Sequence, residues 1–224
     1  MPYGAVVNLG PQDSGESWGW TGPGGFAASS REIDSIPLSV GARWTYHATD
    51  PASGMSGTTE SKVEALNDMG KAGVMAFQIR STMLLGSTVN WQQDLGTSIV
   101  RQREQFFDST GSMRSDYLFM PSRLRLDESP AHTVQGATWT ETHTALVDDL
   151  TLGTKVTGTF MVTWTVEAVN EMVTVPAGTF SCLRVHRVQT GFSSSDEMHW
   201  FARHVGKVKE TGPEPKDLTS YSIP

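Results

Sequence analysis

The chain has 224 residues, a formal net charge of -7, 22 glycines, 11 prolines and a single cysteine. A negatively charged chain without a dense Lys/Arg cluster is not expected to bind nucleic acid, because that binding depends on cations that displace the counterions of phosphates. One cysteine excludes an intrachain disulfide and zinc sites built from several cysteines, and no apolar run approaches the roughly 18 residues of a membrane-spanning helix.

Residues 1–35 are predicted to form an N-terminal tail, because they are rich in Gly, Ser and Pro and have no regular hydrophobic period. Trp18 and Trp20 are unusual in such a segment. Since an indole ring supplies a large contact area, we predict that they dock the tail onto the domain or onto a partner, with an unattached tail as the alternative. The sequence GESWG at 15–19 matches G-x-S-x-G, but no strand precedes Ser17 and no helix follows it, so a nucleophile is not predicted there.

Residues 36–224 are predicted to form a single antiparallel β domain. Trp44 and Tyr46 lie on one face of the first strand, and later strands turn at NDMGKAG (67–73) and at DLG (94–96). Short alternating strands without intervening helices favour a meander. The RQREQ segment at 101–105 is interpreted as the solvent-exposed face of one of these strands.

The middle of the chain contains the predicted interruptions of this pattern. Pro121 is expected to end a strand, and 121–139 to cross as a loop. TALVDDL (144–150) is a candidate for a short helix. The clearest core strand follows in TGTFMVTWTVEAV, where five apolar side chains share one face: Phe160, Val162, Trp164, Val166 and Ala168.

The segment TVPAGTFSCLRV (174–185) predicts a tight turn between two strands. Pro176 has the backbone angle that a β-turn needs at its second position, and Gly178 has the freedom to close the turn. Cys182 follows in a strand with no second cysteine beside it. We therefore expect a buried hydrophobic side chain at this position and not a nucleophile.

Four segments together resemble an uncharacterised family of bacterial exported proteins and lipoproteins: PLSVGARWTY (37–46), VPAGTFSCLRV (175–185), WFARHVGKVKETG (200–212) and DLTSY (217–221). His204 stands where that family usually has Gly. The resemblance implies a strongly curved antiparallel sheet, a half-barrel similar to those of the lipoprotein carriers LolA and LolB. It also implies an extracytoplasmic location (periplasmic, outer-membrane-associated or secreted) and a lipid anchor in the native precursor.

Candidate binding residues are few, and no cofactor is predicted. Trp91 and Trp139 are candidates for a rim that contacts a ligand, with core packing as the alternative. His186, His199 and His204 are the weak candidates for a metal site, because two of them lie on opposite faces if the strand continues between them.

Two functions are compatible with these features. The first is a non-catalytic exported domain whose curved sheet binds an apolar small molecule or a protein partner. The alternative is an assembly subunit, a homo-oligomer in which the tail and a sheet edge contact neighbouring copies. An enzyme would need a cluster of converging polar groups that the sequence does not reveal.

Removal of the tail tests the assembly hypothesis. If copies contact each other through the tail, a chain that begins at Ser35 elutes from a size-exclusion column at a lower mass than the full chain. Monomeric elution of both chains would contradict assembly through the tail.

Overall fold

A computed structural model describes residues 34–69 and 74–224. The predictions for Ser17, Trp18 and Trp20, and most of the predicted tail, lie outside the described residues. The described part contains twelve strands: β1 (Arg43–Thr49), β2 (Ser56–Asp68), β3 (Met75–Met83), β4 (Gly86–Asp94), β5 (Ser98–Phe107), β6 (Met113–Asp127), β7 (Thr138–Asp149), β8 (Thr154–Val175), β9 (Gly178–Gly191), β10 (Ser195–Ala202), β11 (Gly206–Thr211) and β12 (Lys216–Ser222).

The twelve strands form one closed antiparallel barrel. Each strand pairs with its neighbours in sequence, and β1 closes the ring by pairing with both β2 and β12. This confirms the predicted all-β class and the strongly curved antiparallel sheet. The curvature goes beyond a half-barrel, because the first and last strands meet.

Closure changes what the sheet offers to a partner. An open sheet exposes unpaired N–H and C=O groups at its edges, whereas a closed barrel uses those groups in its own ladder. Each of the twelve described strands has a partner on both sides. The ladder is incomplete between β6 and β7, however, because their pairing ends at Met120 and Thr144, so contact between copies through a sheet edge stays a prediction.

Two predictions are wrong in the middle of the chain. Strand β6 continues through Pro121, because the proline lies in an irregular stretch of the β5–β6 ladder, between the paired residues Leu118 and Arg123, where its missing N–H removes no regular bond. The helix candidate 144–150 belongs mostly to β7, whose alternate side chains face the barrel interior. Within the described ranges the only helical element is a short 3-10 turn at Pro130–His132.

The described residues contain no helix with the length and hydropathy that a bilayer-spanning segment requires.

The turn predicted at Pro176 and Gly178 is confirmed, and it lies in a long β8–β9 hairpin. The hairpin reaches β12, where the Ala177 N–H donates to the Leu218 carbonyl at 3.0 Å. Cys182 is buried in the same region, in a core cluster with Trp44 and Leu218. Burial, assisted by Glu171, raises the pKa of the Cys182 thiol to about 11, as expected for a packing residue.

The segment before β1 packs into the barrel interior. Ile36 packs against one core cluster and Leu38 against another. The Ser35 N–H donates to Glu128 Oε1 at 2.6 Å, and the His204 N–H donates to the Asp34 carbonyl at 2.5 Å. We call residues 34–42 the plug segment, because its apolar side chains line the space inside the barrel.

The turn between β10 and β11 shows why glycine is needed at one position. Gly206 has φ +107°, and a Cβ there would lie 2.8 Å from Trp44 Nε1. That nitrogen donates to the neighbouring Val205 carbonyl in a buried hydrogen bond. Trp44 is thus held in the barrel wall by a turn that has no room for a larger residue.

We predict that Gly206→Ala lowers the free energy of unfolding by about 3 kcal/mol, because it adds backbone strain and disrupts the buried Trp44 hydrogen bond. Gly54→Ala is the matched control: its φ is +72°, but no atom lies within 4 Å of the added Cβ. We expect this control to cost about 1 kcal/mol, from backbone strain alone. Urea unfolding followed by tryptophan fluorescence measures both values, and equal losses would contradict the steric role of Trp44.

Candidate functional site

The barrel encloses a cavity of about 270 Å³. Its walls come from the plug segment and from strands on both sides of the β1–β12 closure. The charged side chains that line it are Arg101, Glu104, Arg123, Arg125, Glu197, His199, Lys207, Glu210 and Lys216. Among the described residues the lining therefore holds five Lys or Arg side chains and only three carboxylates.

Uncharged polar side chains, such as Ser61, Ser81 and Asn90, and a smaller set of apolar side chains line the rest of the cavity. Ile36 and Leu38 come from the plug segment, Trp44 from β1 and Ile79 from β3. In a ring of twelve strands, β1 and β6 are five positions apart, so Trp44 lies nearly across the barrel from the arginines of β6. The cavity thus has an apolar patch around Trp44 and a cationic side at β5 and β6, while Lys207, Glu210 and Lys216 add charge from β11 and β12, close to β1.

The cationic side comes from β5 and β6. The Arg101 guanidinium bonds Glu104, and Arg123 Nη1 lies 3.8 Å from Glu104 Oε2. Arg125 makes no salt bridge with any carboxylate of the described residues. Three guanidiniums therefore share one carboxylate, and we call Arg101, Arg123 and Arg125 the arginine cluster.

The environment makes the charge of these guanidiniums costly. Burial and, to a smaller extent, neighbouring guanidiniums together lower the pKa of Arg101 to about 9 and that of Arg123 to about 10, against the attraction of Glu104. The charged form of Glu104, in contrast, is favoured: burial raises its pKa, but the attraction of Arg101, Arg123 and Arg125 outweighs burial and lowers it. An added anion would relieve the repulsion within the cluster.

A second charged network lies on β9, β10 and β11. Glu197 accepts from Arg187 Nη1 at 3.3 Å and from His199 Nε2 at 3.1 Å. Glu210 bonds the Lys207 ammonium, and its Oε2 lies 4.0 Å from His199 Nδ1. Lys207 and His199 lower the pKa of Glu210 to about 2 despite its burial, so this carboxylate is ionised inside the barrel.

Glu197, His199 and Glu210 bring one ligand atom each to within 4.8 Å of one another, a spacing that suits a metal ion. The charges around these three residues oppose the binding of a metal ion. Glu197 already pairs with Arg187, and Glu210 already pairs with Lys207. A divalent cation would have to displace both cations inside a lumen with excess positive charge.

His143 is the other buried imidazole. It packs between the rings of Phe119 and Phe160, with centroids 5.6 and 5.1 Å away, and neither ring nitrogen has a hydrogen-bond partner. Burial, with added repulsion from Arg123 and Arg187, lowers the pKa of His143 to about 4. It is therefore a neutral packing residue at pH 7.

The two tryptophans predicted to contact a ligand lie apart from each other and outside the lining of the cavity. Trp91, on β4, is buried; its Nε1 donates to Asn67 Oδ1 at 3.3 Å, and the Arg103 guanidinium lies 5.1 Å from its ring. Trp139, on β7, stacks between His132 at 3.9 Å and Trp164 at 6.2 Å. Both pack against protein side chains, and a ligand role for them stays a prediction.

The three candidate metal histidines do not converge. His199 faces the lumen, whereas His186 lies on the outer face and bonds Asp196 Oδ1 at 2.7 Å. His204 is exposed in the β10–β11 turn with φ +58°, in the left-handed region of backbone conformation. Of the three, only His199 belongs to a cluster of potential ligands.

The arginine cluster was missed for two identifiable reasons. The RQREQ segment was interpreted as a solvent-exposed face, but irregular pairing between Arg101 and Arg103 turns Arg101 and Glu104 together into the lumen. The segment with Arg123 and Arg125 was interpreted as a loop after Pro121. Its strict R-L-R-L alternation was the available signal for a strand, although it does not tell which face is internal.

The comparisons with known proteins give structural neighbours only. The sequence matches no protein-family model and no curated protein. A provisionally assigned lipoprotein from Parabacteroides distasonis aligns over 85% of this chain and 99% of its own, with 12% identity and a TM-score of 0.44. A provisionally assigned exported protein with a YmcC-like fold, from Bacteroides fragilis, aligns over 84% and 98%, with 12% identity and a TM-score of 0.42.

We predict that His143 makes the protein less stable in mild acid. Its folded-state pKa lies below the unfolded value of about 6.5, so its contribution is complete above pH 6.5 and is lost as the pH falls towards 4. At pH 5 this loss is about 2 kcal/mol. His143→Phe, which keeps an aromatic ring between Phe119 and Phe160, is expected to reduce the difference in unfolding free energy between pH 7 and pH 5 by that amount.

Urea unfolding at the two pH values makes the measurement. The control is His47→Gln, because His47 is exposed on β1 and its replacement should leave the wild-type difference in place. An unchanged difference in His143→Phe would show that this imidazole is not the group that titrates.

Proposed function

We propose that this protein is a non-catalytic binding protein that holds a small molecule inside its barrel. The observation that carries the proposal is the 270 Å³ cavity, whose lining combines an apolar patch with uncharged polar and ionised side chains. A barrel with a purely structural role would be expected to fill its interior to the usual density of a protein core. Ligand sites are concave, largely pre-formed and provided with a few placed polar groups.

The size of the cavity limits the ligand. Pockets for drug-sized molecules have volumes of about 300–1,000 Å³. A cavity of about 270 Å³ suits a smaller molecule and is too small for a lipid with several acyl chains. The sequence analysis predicted an apolar ligand, but the mixed lining favours a ligand that also has a polar or charged group. A wholly apolar molecule would leave the buried charges without compensation.

A non-catalytic role fits the state of the reactive side chains. The Cys182 thiol has a raised pKa, and Glu197 is held in a network with Arg187 and His199. These groups stabilise the fold through their mutual contacts, and none is poised as a nucleophile or as a general base. The extracytoplasmic location and the lipid anchor stay predictions from the sequence motifs.

Filling the cavity tests the proposal. The probe is 1-aminoanthracene, a neutral aromatic molecule whose fluorescence rises in an apolar environment. We expect saturable binding with one site per chain, and at least tenfold weaker binding to Ser81→Phe, whose ring would occupy part of the cavity that Ser81 lines.

Thr142→Phe is the matched control, because Thr142 is exposed on β7 and the added ring should not affect the cavity. Circular dichroism shows whether each variant keeps its strand content. Equal probe binding by Ser81→Phe and the wild type would contradict binding inside the barrel.

A further inference from the structure

The arginine cluster has more positive charge than its protein partners balance. Arg101 and Glu104 have side chains only 9% exposed, and the Arg123 side chain is 16% exposed. Water therefore screens these charges poorly. Glu104 is the one carboxylate within salt-bridge distance of the cluster among the described residues. Glu141 and Glu197 attract Arg123 from farther away, so the balance of charge at the cluster is positive but only in part uncompensated.

The strand register adds to this excess. Arg101 on β5 pairs directly with Arg123 on β6, and like charges opposite each other across two strands destabilise a sheet. Arg125 falls in the next irregularity of the same ladder, between the paired residues Leu124 and Leu126. Two bulges therefore gather three arginines at one point in the cavity wall, an arrangement that packing alone does not favour.

The guanidiniums also have unused hydrogen-bonding capacity. The Nε atoms of Arg101, Arg123 and Arg125 are buried and have no hydrogen-bond partner. A guanidinium binds an oxyanion best through two parallel N–H donors. A carboxylate or a phosphate is the chemical group that satisfies both the charge and the donors.

The opposite wall defines the rest of the ligand. Trp44, Ile79 and the plug residues Ile36 and Leu38 offer apolar surface to the same cavity. The volume of about 270 Å³ accommodates one short chain. An inorganic anion would satisfy the arginines but would leave the apolar wall without a partner.

We propose that the ligand is an anionic amphiphile: a single short alkyl chain that ends in an oxyanion, with the oxyanion at Arg101, Arg123 and Arg125 and the chain against the apolar wall. This inference rests on the proposed binding function and names its ligand class. An anionic ligand also agrees with the charges at Glu197, His199 and Glu210: a metal ion bound there would add positive charge to a cavity in which cations already outnumber carboxylates.

Displacement of bound 1-aminoanthracene from the full-length protein tests the inference. Octanoate and octanol have chains of the same length and differ in the head group, and acetate has the head group without the chain. Octyl phosphate distinguishes a phosphate from a carboxylate as the oxyanion. We expect octanoate or octyl phosphate to displace the probe at a concentration at least tenfold lower than octanol, and acetate to be without effect in the same range.

Removing one charge locates the oxyanion. In Arg125→Met, the octanoate concentration that displaces the probe should rise at least tenfold, the loss expected for a charged hydrogen bond. The octanol concentration should change less than twofold. Lys155→Met is the control, because it removes the same formal charge from the outer surface, where the Lys155 side chain is 72% exposed.

The outcomes separate this inference from the function on which it rests. Equal displacement by octanol and octanoate in the wild type would overturn the anionic ligand and leave binding inside the barrel intact, and this comparison needs no variant to fold. Displacement by acetate as effective as by octanoate would overturn the amphiphile. Absence of probe binding to the wild type would overturn the proposed function itself.

Discussion

Closure of the sheet is the constraint on which the rest of the structure depends. Once β1 pairs with β12, every inward side chain of the twelve strands faces the same enclosed space. Charged side chains in that space lose most of their hydration, so each needs a partner of opposite charge or a hydrogen bond. The networks around Glu197 and Glu210 meet this requirement, and the arginine cluster meets it only in part.

This difference between the two halves of the lumen is informative about function. Where carboxylates and cations balance, as between Glu210 and Lys207, the buried charges compensate each other. Where three guanidiniums share Glu104, the protein retains a cost that a more uniform lining would avoid. Strain and unmatched charge that persist in a fold often mark the place where something binds.

The sequence contained enough information to predict the class of the fold but not its closure. The alternation of apolar and polar residues around Trp44 and in 158–168 indicates half-buried strands. The turn at Pro176 and Gly178 follows from the backbone preferences of these two residues. Whether the first strand meets the last is decided by twist and stagger accumulated over the whole sheet, which no local pattern reports. Strand pairing is equally invisible in a local pattern. Pro121 was therefore expected to end a strand, although β6 continues through it at an irregular stretch of the ladder.

The site was harder to predict than the fold. An arginine on a strand of an open sheet usually faces water. Arg101 and Arg103 were therefore both expected on the solvent-exposed face. A bulge sends these two residues to opposite faces, and bulges depend on the pairing of both strands. Residues such as Arg125 therefore become functional candidates only when the register is known.

The pairing of β1 with β12 also has a consequence for how the protein is made. The hydrogen bond from Thr219 to the Thr45 carbonyl joins residues 174 positions apart, so the barrel closes only after β12 has been synthesised. Contacts of such long sequence separation form late and slowly. Until then the arginines and glutamates of the interior are in contact with water, and charged side chains of this kind interrupt the apolar segments through which unfolded chains associate.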